Sequence, residues 1–436
     1  MRAALDMWLL LRRRSAGSTD PQRLTSVLAV TAFAVTTAVV LVVIGGLLAF
    51  IERAEQPGME SDGGFYVMLA GTATVLLMVP LVTLGGAAAR LAVARRDERL
   101  AALRLAGATT GQVSLLTVLD ASVQALVGAA LGAAGPFVLI PLVMPLPFQD
   151  NPFGYAELVP PWWVFVAAIG GVTIVALVSA GASLRKVAIT PLGVAARTKP
   201  KALHWSRVLP VVGFAVVFAV LLQTGQAGIM VLVLFVAAGF AMMNALGPWV
   251  MGVIGRVAVK RSKDAASLIA ARRIIDSPRT AWRSVGGVAL ATFIAGLTAA
   301  IAMYGSADDA DRMIADMAMG GFLTLAIAGV VAAVSTGVMQ AGRVIDQGAE
   351  YRALHLAGTD LRVLNAARVR ETLVPLAAAV GLATACALLF MVPALGFAFL
   401  SAGPVLIQFA LSVAGACALV LLGVLASGRV VRTVLA

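Results

Sequence analysis

The sequence predicts an all-α polytopic membrane protein, and three observations support this prediction. Of the 436 residues, 61% are hydrophobic and only 12% are charged, whereas a soluble domain carries about 25% charged residues. The apolar residues form continuous runs, and a run of about 20 residues is what an α-helix needs to cross a bilayer. Apolar and polar residues do not alternate within these runs, which favours helices over a β-barrel.

Ten runs are long enough to span a membrane. They cover residues 26–51, 65–92, 112–143, 161–184, 207–224, 228–255, 284–304, 318–342, 370–393 and 403–427. Three prolines, at 136, 141 and 145, interrupt the second half of the third run, so we expect its helix to break there. Residues 1–25 combine a short apolar stretch with three successive arginines, and we expect them to form an amphipathic helix on the cytoplasmic membrane surface.

The loops between the predicted spans differ in charge. One set, 52–63, 145–160 and 305–317, holds ten acidic and two basic residues, although the whole chain has a net charge of +12. The remaining loops are therefore strongly basic. Because Lys and Arg are retained on the cytoplasmic side, this pattern places both termini inside. Arg far outnumbers Lys and Ala is abundant, as in GC-rich bacteria, so we expect a bacterial inner membrane.

Several kinds of chemistry have no support in the sequence. The chain has two histidines and two cysteines, and both cysteines lie within apolar runs. We therefore expect neither a metal site nor a disulfide framework. No G-x-x-x-x-G-K-[ST] phosphate loop occurs, and no set of residues typical of a catalytic site is present. We expect no catalytic residue, no bound cofactor and no nucleic-acid partner, and the chain is not predicted to be an enzyme by itself.

Two short segments resemble each other. Residues 95–109 read RRDERLAALRLAGAT and residues 350–359 read EYRALHLAGT. Gly107 and Gly358 are 251 residues apart, and so are Asp120 and Glu371. Each segment lies between the second and third span of a four-span block. This spacing predicts two copies of one four-helix unit, spans 1–4 and 7–10, with spans 5 and 6 linking them.

The first segment and the span after it resemble the FtsX/MacB-type permease domain, the membrane subunit of type VII ABC transporters. The family pattern is roughly R-x-R-E-I-x-x-L-R-A-L-G-A, followed by a helix with an acidic residue and small residues. The matching positions are Leu103, Arg104, Gly107, Ala108 and, in the second copy, Glu350, Leu354 and Gly358, with Asp120 and Glu371 at the acidic position. Arg99 and His355 depart from the pattern, which makes the two copies unequal.

The resemblance implies a domain organisation. It comprises an N-terminal helix at 1–25, a first FtsX-like unit at 26–200, linking spans at 201–258 and a second unit at 259–436. Ten spans in one chain are similar to the bacitracin-exporter-type permeases, but without their large extracellular domain. The resemblance also implies a separate ABC ATPase that holds ATP and Mg²⁺. Because one chain supplies both units, we expect two ATPase subunits per permease chain.

The two repeated segments are the predicted contacts with the ATPase. We expect Gly107 to permit a turn, so that a short helix lies across the membrane face and docks on the ATPase. The predicted coupling residues are Arg99, Leu103, Arg104, Leu105, Gly107, Ala108, Thr109, Glu350, Leu354, His355, Leu356, Gly358 and Thr359. The alternative is that each segment is an ordinary basic loop held by anionic lipid.

Four further residues within the predicted spans are candidates for a functional or a packing role. Asp120 and Glu371 are acids inside apolar runs, where an acid is costly unless it is paired. They act either as gating contacts or, as we favour, as structural groups bonded near the cytoplasmic surface. Gly128 and Gly132 form a G-x-x-x-G pair that permits close helix packing. The sequence does not identify substrate-binding residues.

The predicted function is export or extraction of an amphipathic or lipophilic substrate, such as an antimicrobial peptide, a lipid or a lipid-linked molecule. Efflux and antibiotic resistance are the expected biological setting. The alternative is a subunit that transmits force to a cell-wall enzyme or a sensor kinase without transport. An ion-coupled carrier and a polytopic membrane enzyme are the remaining rivals, and neither requires a partner ATPase.

Overall fold

The computed structural model describes residues 21–56, 63–94, 109–188, 229–302, 311–346, 356–395 and 403–435, with isolated positions at 213, 216, 217, 220 and 353. Twelve helices and one short hairpin occur in these ranges. The helices are α1 Pro21–Ala54, α2 Gly63–Ala94, α3 Thr110–Gly132, α4 Gly135–Val143, α5 Tyr155–Leu158, α6 Trp162–Ala188, α7 Ile229–Arg261, α8 Ala265–Asp276, α9 Pro278–Ala302, α10 Asp311–Asp346, α11 Leu361–Leu395 and α12 Gly403–Leu435. The hairpin pairs β1 (Pro147–Phe148) with β2 (Asn151–Pro152) in antiparallel register.

Eight helices in the described ranges are long and apolar enough to cross a membrane. They contain the segments Thr25–Ala54, Gly63–Ala89, Leu115–Gly132, Tyr155–Gly181, Ala238–Arg261, Pro278–Leu297, Ala315–Gly342 and Arg362–Leu389, and α12 contains a shorter apolar segment, Phe409–Gly423. The prediction of an all-α polytopic membrane protein is therefore confirmed, with the hairpin as a small exception. The count of ten remains a prediction, because the fifth span, 207–224, lies almost entirely outside the described residues.

Several helices extend beyond the apolar run that predicted them. Helix α1 begins at Pro21, so it includes the last residues of the predicted surface helix 1–25, whose first twenty residues lie outside the described ranges. Helix α11 begins at Leu361, nine residues before the predicted span, because polar and basic residues continue its hydrogen-bonded turns. A hydropathy pattern marks only the apolar part of such a helix. The third predicted span divides as expected, since α3 ends at Gly132 and α4 follows at Gly135.

The helices pack in two blocks with the same pattern of neighbours. In the first block α1 packs on α2 and α3, and α2 packs on α6; in the second, α9 packs on α10 and α11, and α10 packs on α12. Helix α10 also contacts α1 and α2, so the blocks meet along these elements. Large side chains such as Phe33, Leu81, Leu290 and Phe293 are completely or almost completely buried. They belong to one continuous apolar core that runs through both blocks.

The two ends of the bundle differ in charge. The hairpin end contains β1, β2 and α5, together with the acids Glu52, Glu55, Asp150, Glu157 and Asp316. The opposite end, here called the basic end, contains α8. Its cations among the described residues include Arg256, Lys260, Arg261, Lys263, Arg272, Arg273, Arg279, Arg283, Arg362, Arg368 and Arg370. The charge difference that the loops predicted from sequence is thus gathered at opposite ends of the fold.

Candidate functional site

An apolar cavity of about 260 Å³ lies between the two blocks, near the hairpin end. Its walls come from α1, α2, α9 and α10, and the hairpin segment contributes Phe148 and Phe153. Long aliphatic residues on facing helices, such as Leu77, Ile294 and Ile327, supply most of the remaining surface. A concave, mainly apolar space with few polar groups is the usual form of a small-molecule site.

Most polar atoms in the cavity wall are already satisfied. The hydroxyls of Thr72, Thr74 and Thr324 each donate to a carbonyl four residues earlier in their own helix, at 2.7–2.8 Å. A threonine bonded in this way presents mainly its methyl group. The polar chemistry of the cavity therefore depends on Tyr66 and Asp316, and Asp316 is its charged lining residue.

Asp316 joins three parts of the hairpin end. Its Oδ2 accepts a hydrogen bond from the Tyr66 hydroxyl of α2 at 2.7 Å. The same oxygen accepts a second bond from the backbone N–H of Gln149, in the hairpin turn, at 2.9 Å. Helix α10 of the second block is thus bonded both to α2 and to the hairpin of the first block.

The hairpin turn is conformationally unusual. Gln149 and Asp150 have φ angles of 58° and 62°, which is the left-handed region that favours glycine. A two-residue hairpin loop of type I′ needs positive φ at both central positions, and Asn-Gly is the usual solution. Here Gln and Asp adopt that shape instead, and the bond from Gln149 to Asp316 helps to hold it.

Arg53 fastens the hairpin and α5 to the end of α1. Its guanidinium pairs with Glu157 and donates to the carbonyls of Phe148, Asn151 and Pro152, at 3.0–3.2 Å. It also lies 4.1 Å from the centre of the Phe153 ring, a cation–π distance. Only 7% of Arg53 is exposed. Arg53 therefore helps to fix the walls that the hairpin segment contributes to the cavity.

At the basic end, Glu371 takes part in a buried ion pair. Arg273 of α8 lies 3.3 Å from Glu371 of α11, and their side chains are 13% and 7% exposed. At the next residue, the Thr372 hydroxyl accepts a hydrogen bond from the Gln340 amide of α10 at 2.8 Å. Glu371 is ten residues from the start of α11, or about 15 Å along a helix. The structural interpretation of Glu371 and the gating interpretation both remain predictions.

Asp120 has different partners from Glu371. Its carboxylate accepts a 2.9 Å bond from the side chain of Gln124, one turn further along α3. The Gln124 amide also reaches the Ser26 hydroxyl of α1, at 3.5 Å. Each of the two acids that are equivalent in sequence thus bonds to another side chain, Asp120 to Gln124 and Glu371 to Arg273.

A second ion pair anchors the start of α8. Arg370 of α11 bonds to both carboxylate oxygens of Asp264, which also caps α8 through the N–H of Ser267. These bonds, above all the one from Arg370, hold the pKa of Asp264 well below its ordinary value. Together with Arg273 and Glu371, this pair ties α8 to α11 at two points.

The predicted coupling residues are only partly within the described ranges. Arg99, Leu103, Arg104, Leu105, Gly107, Ala108, Glu350, Leu354 and His355 lie outside them. In the second copy, Leu356 is 87% exposed and Gly358 has a φ of +91°. The chain therefore turns at Gly358, and an apolar side chain projects from the basic end just before it. Thr359 follows that turn and precedes α11.

Thr109 has a local structural role. It caps α3 in a reciprocal arrangement with Gln112, through bonds of 3.3 and 3.0 Å. Asp360, which is 251 residues further on, accepts a 3.0 Å bond from the N–H of Arg362 at the start of α11. The repeat thus places an N-terminal capping residue at the same position in both copies, a feature that the sequence comparison did not single out.

Gly128 and Gly132 face α1 at close range. A Cβ placed on Gly128 would lie 2.6 Å from the Cβ of Phe33 and 2.7 Å from the Val30 carbonyl oxygen. A Cβ on Gly132 would lie 2.9 Å from the Cβ of Thr37. These separations are shorter than real side chains tolerate, so α3 approaches α1 as closely as it does because both positions are glycine.

Sequence reasoning missed the residues that build the cavity. In the sequence, two of them, Asp316 and Glu157, are simply acids of the predicted loops. Tyr66 is one residue of a predicted span, and Arg53 is one of two bases in an acidic set of loops. One sequence signal could have identified Arg53: a base within an acidic loop is expected to pair with acidic side chains nearby. The pairing of Arg53 with Glu157 and of Tyr66 with Asp316 joins residues more than 100 positions apart, which a local pattern does not reveal.

Comparison with known proteins gives a family for part of the chain. Residues 71–192 match the family model described as FtsX-like permease C-terminal. No curated protein and no solved structure matches the chain. The matched range extends from α2 to just beyond α6, and it includes the first repeated segment, Asp120, Gly128 and Gly132. A domain of this kind generally works with an ABC ATPase. The chain is thus a multi-pass membrane protein with an FtsX-like permease domain at residues 71–192, which supports a permease of the FtsX/MacB type.

Proposed function

We propose that this chain is the membrane subunit of an ABC transporter that exports or extracts an amphipathic or lipophilic substrate. The observation that carries the proposal is the apolar cavity between the two helix blocks. A site whose wall is nearly all hydrocarbon recognises hydrocarbon, because burial of apolar surface is its main favourable term. The block interface is also where a relative movement of the blocks would change the volume of the site.

The energy for transport comes, in this proposal, from a separate ATPase bound at the basic end. Leu356 supports this arrangement, since a side chain that is 87% exposed at the bundle end is available to a protein groove. Helices α10 and α11 lead from that end into the core. Movement of the repeated segments would therefore reach both blocks. Two such segments favour two ATPase subunits per chain, and the cations at this end favour a cytoplasmic location.

Association with the ATPase tests the coupling part of the proposal. We expect Leu105→Asp combined with Leu356→Asp to abolish co-purification with the partner ABC ATPase. Leu268→Asp is the matched control, because Leu268 is a 41% exposed leucine of α8 at the same end but outside the repeats. Retention of the ATPase by the double variant would exclude docking at these segments.

Movement of a probe tests the transport part. The permease and its ATPase are reconstituted in proteoliposomes that contain a fluorescent short-chain lipid and a fluorescent lipopeptide. We expect ATP to change the transbilayer distribution of at least one probe, and a hydrolysis-deficient ATPase to prevent that change. Probe movement without any ATPase would favour an ion-coupled carrier. ATP-dependent structural change without movement of either probe would favour a force-transmitting subunit.

A further inference from the structure

The cavity wall contains a carboxyl group whose position among apolar residues calls for an explanation. Asp316 is half-buried at the start of α10, among lining residues that are otherwise apolar or satisfied. Removing a carboxylate from bulk water is costly unless other groups compensate for the lost hydration. Two donors do so in part, the hydroxyl of Tyr66 and the N–H of Gln149.

Both donors bind the same oxygen. Tyr66 and Gln149 each bond to Oδ2 of Asp316, and no other described side chain or backbone group donates to Oδ1. Arg53 of α1, the cation that binds the hairpin segment, is committed to Glu157 and three carbonyls. The arrangement fixes the carboxylate in place and leaves its second oxygen for a partner that the described part of the chain does not supply.

We infer that Oδ1 of Asp316 receives the cationic head of a single-chain amphiphile whose hydrocarbon chain occupies the cavity. The inference rests on the proposed function and names its substrate class: a primary alkylammonium or a molecule that ends in one. A positive head gains a charge-assisted hydrogen bond, which is about twice as strong as a neutral one. An anionic head meets like-charge repulsion at the same place.

Two further features fit this substrate class. The cavity volume, about 260 Å³, is close to the lower limit of about 300 Å³ for ligand pockets, so it suits one chain rather than a bulky ring system. The acids at the hairpin end, among them Glu52, Glu55 and Asp150, give that end a negative field. Such a field raises the local concentration of cations.

Photolabelling of the intact chain in phosphatidylcholine nanodiscs tests the inference. The probes are dodecylamine and dodecanol, each carrying a diazirine at the same chain carbon, so that they share the hydrocarbon chain and differ only in the head group, which is cationic in the amine and neutral in the alcohol. Labelled peptides from the cavity wall are quantified by mass spectrometry against probe concentration. We expect the amine to half-saturate the wild-type cavity at a concentration at least about tenfold below that of the alcohol.

Two variants distinguish the effect of the Asp316 charge on probe binding from the effect of the cavity's shape. In Asp316→Asn we expect the amine to lose about tenfold in apparent affinity while the alcohol is unchanged, because the hydrocarbon site remains. In Tyr66→Phe the carboxylate remains, and we expect the preference for the amine to remain as well. Comparing each probe with itself across variants removes the difference in how the two probes partition into the bilayer.

Three outcomes would overturn the inference, and they differ in what else they affect. Equal labelling by amine and alcohol in the wild type would remove the head-group assignment and leave the apolar cavity as the proposed substrate site. Loss of alcohol labelling in Asp316→Asn would show that the carboxylate acts by shaping the cavity. Absence of cavity labelling by either probe would remove the cavity from the proposed function altogether.

Discussion

Replacement of Arg53 by methionine should release the hairpin and α5 from the end of α1. Arg53 is 7% exposed, and its guanidinium makes bonds to Glu157 and to three backbone carbonyls. Methionine keeps much of the side-chain volume but supplies no donor. Glu157, whose side chain is 20% exposed, then loses its partner, and the carbonyls of Phe148 and Pro152 lose a donor.

The expected magnitude follows from the kind of interaction. Breaking a buried ion pair by removing one partner costs about 3–5 kcal/mol, because a charge remains without compensation. Glu157 is partly accessible to solvent, so we expect the free energy of unfolding to fall by an amount at the lower end of this range, about 3 kcal/mol. The double variant Arg53→Met with Glu157→Leu should recover part of that loss, since no unpaired carboxylate then remains; we expect a coupling of about 1–3 kcal/mol.

Hydrogen exchange and reversible unfolding in detergent measure this prediction. Amides at 147–158 should lose protection in Arg53→Met while those in the core of α1 and α2 keep theirs. Arg256→Met is the matched control, because Arg256 is an exposed arginine of α7, where substitution should change stability by no more than about 0.5 kcal/mol. The reasoning is refuted if Arg53→Met lowers the free energy of unfolding by less than about 1 kcal/mol and leaves hydrogen exchange in the hairpin unchanged.

Three further predictions concern α3 and the basic end. Gly128→Leu should destabilise the protein by more than about 2 kcal/mol, because the new side chain meets α1, whereas Gly171→Leu, at a helix position with open space, should have little effect in the same unfolding assay. Glu371→Gln should cost about 2–3 kcal/mol of unfolding free energy through loss of the Arg273 pair but leave ATP-driven probe movement per folded molecule intact; abolished movement at full folding would instead support a gating role. The lowered pKa of Asp264 means that its charged form stabilises α8 above its ordinary pKa of 3.8 and that this contribution disappears as pH falls through the lowered folded pKa. Wild type and Asp264→Asn should therefore differ in α8 hydrogen exchange at pH 7 and converge in strong acid, and equal protection at both pH values would contradict the assigned role.

Much of the helical content follows from the sequence alone. Continuous apolar runs of about 20 residues leave few alternatives, since a lipid-exposed backbone must satisfy its hydrogen bonds within a helix. The break after Gly132 follows equally directly from the prolines downstream. The close packing of α3 at Gly128 and Gly132 could also be predicted from the sequence, because the absence of a side chain is a property of the residue itself.

The apolar cavity between the blocks could not be predicted from the sequence, because its parts come from distant segments. Tyr66 and Asp316 are 250 residues apart, and Arg53 and Glu157 are 104 apart. Each appears in sequence as an ordinary span residue or loop charge. The repeat predicted that Asp120 and Glu371 are equivalent, but it did not identify Arg273 of α8 as the partner of Glu371.

The sequence by itself determined that this chain is a bundle of membrane helices with basic and acidic loops segregated, because helix formation and charge segregation depend on local composition. The tertiary structure decided which charges meet, where an apolar space remains between the blocks, and that one carboxylate lines it. Those outcomes depend on the packing of helices far apart in the chain, and side-chain pairing across such an interface is set by geometry rather than by any local pattern of residues.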